Sequence, residues 1–202
     1  MLGDLSKKYE SNGNPAAIST GIGDLGGKSY GMYQMSRNKG VLADFVIWAE
    51  HKGYDFIYRL YGAYGQEDFD AEWKQCAVEY EDKFSDAQHQ YIKEKYYDKA
   101  KIILEVAMYD LEKHSEVMQD VVWSRAVQYG PYQIAEMFTE ACQSLGYPNL
   151  SYVDDKAFDR DMIKAIYLNV CKSEEWTDGS PALRESLYAR FEAECTDALA
   201  RL

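Results

Sequence analysis

The sequence predicts an α+β chain that is predominantly helical, with one small β-hairpin near the N terminus and a buried central helix. Three observations carry this. From Val41 onward, apolar residues recur at helical spacing in one segment after another. Upstream, residues 11–27 hold five glycines and Pro15, too many turn formers for helix or strand, and residues 29–35 then alternate as a short strand does. Finally, Ile102, Ile103, Leu104, Val106, Ala107 and Met108 are apolar nearly all round, the pattern of a helix enclosed on every side.

Taken in order, residues 2–10 read as a short helix ending at Glu10. A long loop follows, then the hairpin. Val41, Leu42, Phe45, Val46, Trp48 and Ala49 form a strongly apolar helix with Gly53 as its stop. Phe56, Ile57, Leu60 and Tyr61 continue as a short helix to Gly62. Phe69, Trp73, Cys76, Ala77 and Tyr80 share one helical face. Helices over 84–97 and 102–108 come next, followed by 117–129, 131–145, 154–171 and 181–202. Pro131 and Pro181 suit a first helical turn, where a missing N–H is harmless, and Asp154 and Asp155 suit a helix N-terminus. No repeat or linker divides the chain, so the expectation is one domain over 1–202 with a hairpin subdomain at about 20–36.

Composition narrows the function. A hydrophobic content of 47% with four Trp, 18 Tyr and seven Phe is that of a folded protein, and rings with a polar tip suit cores and carbohydrate stacking alike. The net charge of −12 argues against binding nucleic acid or inserting into anionic membranes, and it is awkward for an anionic polymer too. No apolar run is long enough to span a membrane, and no signal peptide is visible. Cys76, Cys142, Cys171 and Cys195 lie too far apart for a CxxC or zinc pattern and read as small buried hydrophobes, with disulfide pairing the open alternative. His51, His89 and His114 have no partner at ligand spacing, so neither metal nor cofactor is implied.

The opening stretch carries a resemblance. Glu10-Ser11-x-x-Asn14-Pro15-x-Ala17-x-Ser19, followed by Gly26-Gly27-Lys28-Ser29-Tyr30-Gly31 and Gly31-Met32-Tyr33-Gln34-Met35, resembles the paired motifs of lysozyme-like lytic transglycosylases and phage-type muramidases. The match covers about a fifth of the chain. Tyr33 stands where that family has Met, and the loop carries an extra Gly-Asp-Leu-Gly-Gly. The resemblance implies a lysozyme-like fold and a cell-wall glycosidase cleaving the β-1,4 bond of peptidoglycan between N-acetylmuramic acid and N-acetylglucosamine. It implies Glu10 as the general acid and peptidoglycan glycan strands as partner.

Protonating a glycosidic oxygen needs a carboxyl that keeps its proton near neutral pH, and packing a helix-end Glu against aromatics favours that. Asp24 is the candidate second carboxylate of an inverting site, roughly 6.5–9.5 Å away, although Gly-Asp-Leu-Gly-Gly is also ordinary turn chemistry. Ser11, Ser29, Tyr30, Tyr33 and Gln34 are candidate glycan contacts. Alternation sets Ser29, Gly31 and Tyr33 on one face and Tyr30, Met32 and Gln34 on the other. Gln128 and Tyr129, just before Gly130-Pro131, are candidates for an opposite wall, with Gly130 as a plain helix cap the alternative. The rival functions are a non-catalytic glycan-binding or structural module and a chitosan-type glycosidase, which the acidic charge would suit. Action outside a cell would require unconventional export, release by lysis, or membership in a larger phage or secretion-associated polypeptide.

Overall fold

A computed structural model describes residues 2–21, 27–173, 176, 177 and 181–202. It is predominantly helical with a two-stranded hairpin, as expected. The described elements are α1 Asp4–Glu10, β1 Ser29–Tyr30, β2 Met35–Ser36, α2 Val41–His51, α3 Ile57–Ala63, α4 Phe69–Glu79, α5 Glu81–Ile92, α6 Asp98–Val106, α7 Glu116–Tyr129, α8 Ile134–Ser144, α9 Asp159–Lys172 and α10 Pro181–Arg201. Backbone contacts divide the chain into a terminal unit, Met1–Tyr9 with Tyr96–Leu202, and a hairpin unit, Glu10–Lys95.

The hairpin unit forms where the sequence alternates apolar and turn-forming residues. β1 and β2 are antiparallel, with Ser29 opposite Ser36 and Tyr30 opposite Met35, and Ile18 adds a bridge to Tyr30. α2 to α5 surround a core of rings. Phe45, Phe56, Phe69, Trp73, Phe84 and Tyr91 are all enclosed. Phe84 meets Trp73 edge-on at 4.8 Å and Phe56 at 5.0 Å, geometries in which ring edges face ring faces. The single residue Tyr80, with φ −124° and ψ 32°, breaks the helical path between α4 and α5.

The terminal unit corrects one expectation. The apolar stretch from Ile102 to Met108 is not a central helix. Ile102 is 60% exposed, Val106 82% and Met108 56%, and on α6 itself only Ala100 and Leu104 are buried. The helix ends at Val106, and Met108 turns to a positive φ of 67°. Only the line through positions 100 and 104 therefore faces inward. The enclosed helix is α7, which buries Val117, Met118, Val121, Val122, Trp123 and Ala126 together with the polar Asp120, Ser124 and Arg125. Its N-terminus is capped by the Ser115 hydroxyl, which accepts from the Met118 N–H at 3.1 Å.

Asp120 ties both ends of the chain to α7. Its carboxylate accepts the Gly3 N–H at 2.7 Å, the Leu5 N–H at 3.3 Å and the Arg201 guanidinium at 2.7 Å. Pro131 opens a 3-10 turn, Pro131–Gln133, that leads into α8. Asp155 caps the short turn Lys156–Phe158 before α9, whereas Asp154 receives the Asp110 N–H and pairs with Lys113.

Candidate functional site

The motif residues from Glu10 to Gln34 belong to the hairpin unit, and a buried side chain from α5 organises them. After Glu10 the chain reverses through Asn12 and Gly13, both at positive φ, 55° and 75°. Asn14 then accepts the Ala16 N–H on its own side chain, an Asx turn that Asn and Pro together favour. The Pro15 carbonyl accepts two side-chain donors, Trp73 Nε1 at 3.0 Å and Gln88 Nε2 at 3.1 Å. The other end of Gln88, its Oε1, accepts the Met32 N–H at 2.8 Å. Gln88 is fully enclosed and so fastens the loop after Glu10 to the hairpin turn with both of its polar ends.

Gly31 makes this approach possible. It has φ 77°, donates its N–H to the Ala17 carbonyl at 2.8 Å, and a Cβ there would stand 2.2 Å from Gln88 Oε1. Ser11 adds a second fastening, its hydroxyl donating to the Met32 carbonyl at 2.9 Å. The residue after Glu10 is thereby bound directly to the turn that carries Tyr33 and Gln34.

The expected face alternation is corrected. Only Ser29–Tyr30 and Met35–Ser36 are strand, and residues 31–34 form the turn between them. Tyr30, Met32 and Tyr33 are all buried, whichever parity they have. Tyr30 is wedged edge-on against Phe69 and Trp73, both at 5.4 Å, and donates its hydroxyl to Asp70 at 2.6 Å. Burial and that carboxylate push the Tyr30 phenol up to about 12. Asp70 in turn pairs with Lys28 at 2.5 Å. Its burial opposes ionisation, but the bonds from Lys28 and Tyr30 outweigh this and hold its carboxyl below the ordinary range. The Tyr33 hydroxyl meets His89 Nδ1 at 2.7 Å. Ser29 is buried, its N–H donating to the Ser19 hydroxyl at 2.8 Å. Gln34 is half-buried, sits at φ 49°, and donates from Nε2 back to the Gly31 carbonyl at 3.0 Å.

Glu10 is half-buried at the end of α1. Its neighbour Tyr9, a residue of the terminal unit, gives its hydroxyl to Asp197 at 2.5 Å. Asp24 lies outside the described residues. Gln128 and Tyr129 belong to the terminal unit. Tyr129 donates to the Trp176 carbonyl at 2.9 Å and meets that ring edge-on at 5.5 Å, while Gly130, at φ 87°, ends the helix. Gln128 is half-buried on the last turn of α7.

Gln88 was not among the candidates, yet a signal for it exists. Phe84, Ala87, Gln88, Tyr91 and Ile92 fall at the spacing of one buried helix face, so a polar residue stands in a core position. His89 and His114 also have partners that spacing did not reveal: Tyr33 for the first, and Asp159, 2.6 Å from Nδ1, for the second.

Comparison with known proteins decides the lineage. The family model described as type VI secretion system spike protein VgrG3-like, C-terminal, matches residues 2–195. The chain belongs to that family. A curated relative, the type VI secretion system spike protein VgrG3 of Vibrio cholerae serotype O1 (strain ATCC 39315 / El Tor Inaba N16961), is 39% identical over 130 residues. The match covers 64% of this chain and 12% of the relative's length.

Membership in the VgrG3-like family overturns the assignment to lysozyme-like transglycosylases and muramidases, which rested on about a fifth of the chain. The β-1,4 glycosidase expected from that assignment falls with it, since neither match names such an activity. What stands is the association with a larger secretion-system polypeptide.

Proposed function

We propose that this chain is the target-directed module of a type VI secretion spike, and that its hairpin unit engages the glycan strands of the cell wall. The family match supports the first half of the reading. The second half rests on one observation: the Ser11 hydroxyl on the Met32 carbonyl joins the carboxyl-bearing end of α1 to the hairpin turn. In this reading that bond holds Glu10 and Gln34, both half-buried, to one preorganised surface. Carboxyl and amide groups are the hydrogen-bonding partners that sugar hydroxyls and N-acetyl groups require. In this reading Glu10, Ser11 and Gln34 face the glycan, while Ser29, Tyr30 and Tyr33 hold the turn from beneath. Gln128 and Tyr129, on the terminal unit, are proposed as a glycan contact of their own, and Asp24 as a further carboxylate on the loop. The 1–202 chain works as a single domain whose two units are inherited together.

The test is co-sedimentation of the purified chain with cell-wall sacculi, read beside the release of soluble glycan fragments. The wild type is expected in the pellet, and Glu10→Gln and Ser11→Ala are expected to shift it toward the supernatant. Because the chain carries −12 and the wall is acidic, retention should strengthen as salt screens the repulsion. A chain that stays in the supernatant at every salt concentration overturns the reading. Fragment release that Glu10→Gln abolishes would assign this surface an enzymatic role of the glycoside hydrolase or transglycosylase class, with Glu10 carrying the proton. Retention without release leaves it a binding surface.

A further inference from the structure

Two of the four cysteines differ from the others in where their thiols lie. Cys76 and Cys142 are buried, and their sulfurs point at backbone carbonyls: that of Phe56 at 4.0 Å for the first, and those of Asn149 at 3.1 Å and Tyr147 at 3.7 Å for the second. Cys171 on α9 and Cys195 on α10 are only half-buried. They line the same groove of about 490 Å³, whose walls also include Tyr167, Leu168 and Phe191. The two helices lie along one another within the terminal unit, and helices in contact run 8–10 Å apart, so facing side chains reach across. Burial raises the Cys171 thiol, Glu192 adds to this and Arg125 opposes it, and Cys195 is near enough to contribute as well.

We infer that Cys171 and Cys195 form a reversible intramolecular disulfide that clasps α9 to α10 when the chain enters an oxidising space. Each thiol gives up one proton and one electron, a sulfur–sulfur bond forms, and a disulfide donor of the glutathione or oxidoreductase class is reduced to two thiols. The chemistry fits a polypeptide of a secretion system, because disulfides persist outside the reducing cytoplasm and not within it. It also fits the groove, which is wide enough to admit a donor to sulfurs that are half-buried and not sealed. Burial of both thiols makes the attack slow near neutral pH and faster as pH rises, since the thiolate is the nucleophile.

The experiment is equilibration of the whole chain in oxidised and reduced glutathione, followed by intact mass and a non-reducing proteolytic map. The expected result is loss of two hydrogens, a linked peptide pair carrying Cys171 and Cys195, and a Tm several degrees above that of the dithiothreitol-treated chain. Cys171→Ser and Cys195→Ser should each lose both the mass change and the Tm shift, while Cys76→Ser with Cys142→Ser keeps them. The wild-type map stands on its own if any variant folds poorly. Glutathione adducts without loss of two hydrogens, a linkage involving Cys76 or Cys142, or disulfide-joined dimers would each overturn the inference.

Discussion

In the hairpin unit the largest enclosed side chains are rings, Phe45, Phe56, Phe69, Trp73, Phe84 and Tyr91, whose polar tips, where present, reach outward to bonded partners. The terminal unit encloses rings as well, but its centre is ionic. Arg125 and Glu194 are both fully enclosed and joined at 2.7 Å. The Arg125 guanidinium also lies over Tyr167 at 4.9 Å and Phe191 at 4.8 Å, and Ser124 donates to the same carboxylate. The difference teaches where specificity is stored. A ring cluster tolerates exchange for other apolar shapes of similar volume, while a buried ion pair fixes its elements because half of it cannot be left alone.

The sharpest way to break the comparison is to remove one partner of the ion pair. Glu194→Ala strands a buried guanidinium and is expected to cost about 3–5 kcal/mol in urea unfolding. Arg125→Met combined with Glu194→Leu should recover most of that loss, because the desolvation cost disappears along with the attraction. A double variant no more stable than Glu194→Ala would show that the pair is not the unit that matters. Next in size is Gly31→Ala in the hairpin unit. Its Cβ would meet Gln88 Oε1 at 2.2 Å in a left-handed backbone, so a loss of at least about 1 kcal/mol is expected. The same variant should weaken sacculus retention, since it loosens the turn beneath Gln34. Ser115→Ala, which removes the cap of α7, should cost about 1 kcal/mol.

The smallest effect separates the units by sign. Asp70 is held below its unfolded value, so its contribution is present above that value and is lost as pH falls through the folded one. Burial of Asp120 raises its carboxyl despite Arg201 and two backbone donors, so its contribution is fully present below the unfolded value and is lost as pH rises through the folded one. Urea midpoints compared near neutral pH and near pH ~3 should therefore show the deficit of Asp70→Asn shrinking on acidification. The wild type's margin over Asp120→Asn should grow instead. Parallel pH responses in the two variants would erase the contrast.

How much of this was legible before the structure depends on whether a residue's role is local. Periodicity located α2, α4 and α5 because one face of each is apolar and the opposite face charged. It misplaced the buried helix at α6, whose apolar residues run all round while only Ala100 and Leu104 are buried. Periodicity also located α7, but it did not mark that helix as the enclosed one, because the polar Asp120, Ser124 and Arg125 are buried against Glu194 and Arg201, which lie far along the chain. In the site, Glu10 and Asn14-Pro15 stand out as a motif, but motif likeness over a short stretch pointed to the wrong family. The tie through Gln88 spans 73 residues to Pro15 and leaves no local trace beyond a polar residue on an apolar face.

In the terminal unit the Gly3 amide and the Arg201 guanidinium share Asp120, so the start of the first helix and the end of the last meet at the same point on α7. A linker of a few residues would close the chain into a ring, and a cut in an exposed turn such as that at Gly146 would open it again with new ends. The order in which the helices are strung is then separable from the way they are assembled. This unit can be rewired without being redesigned.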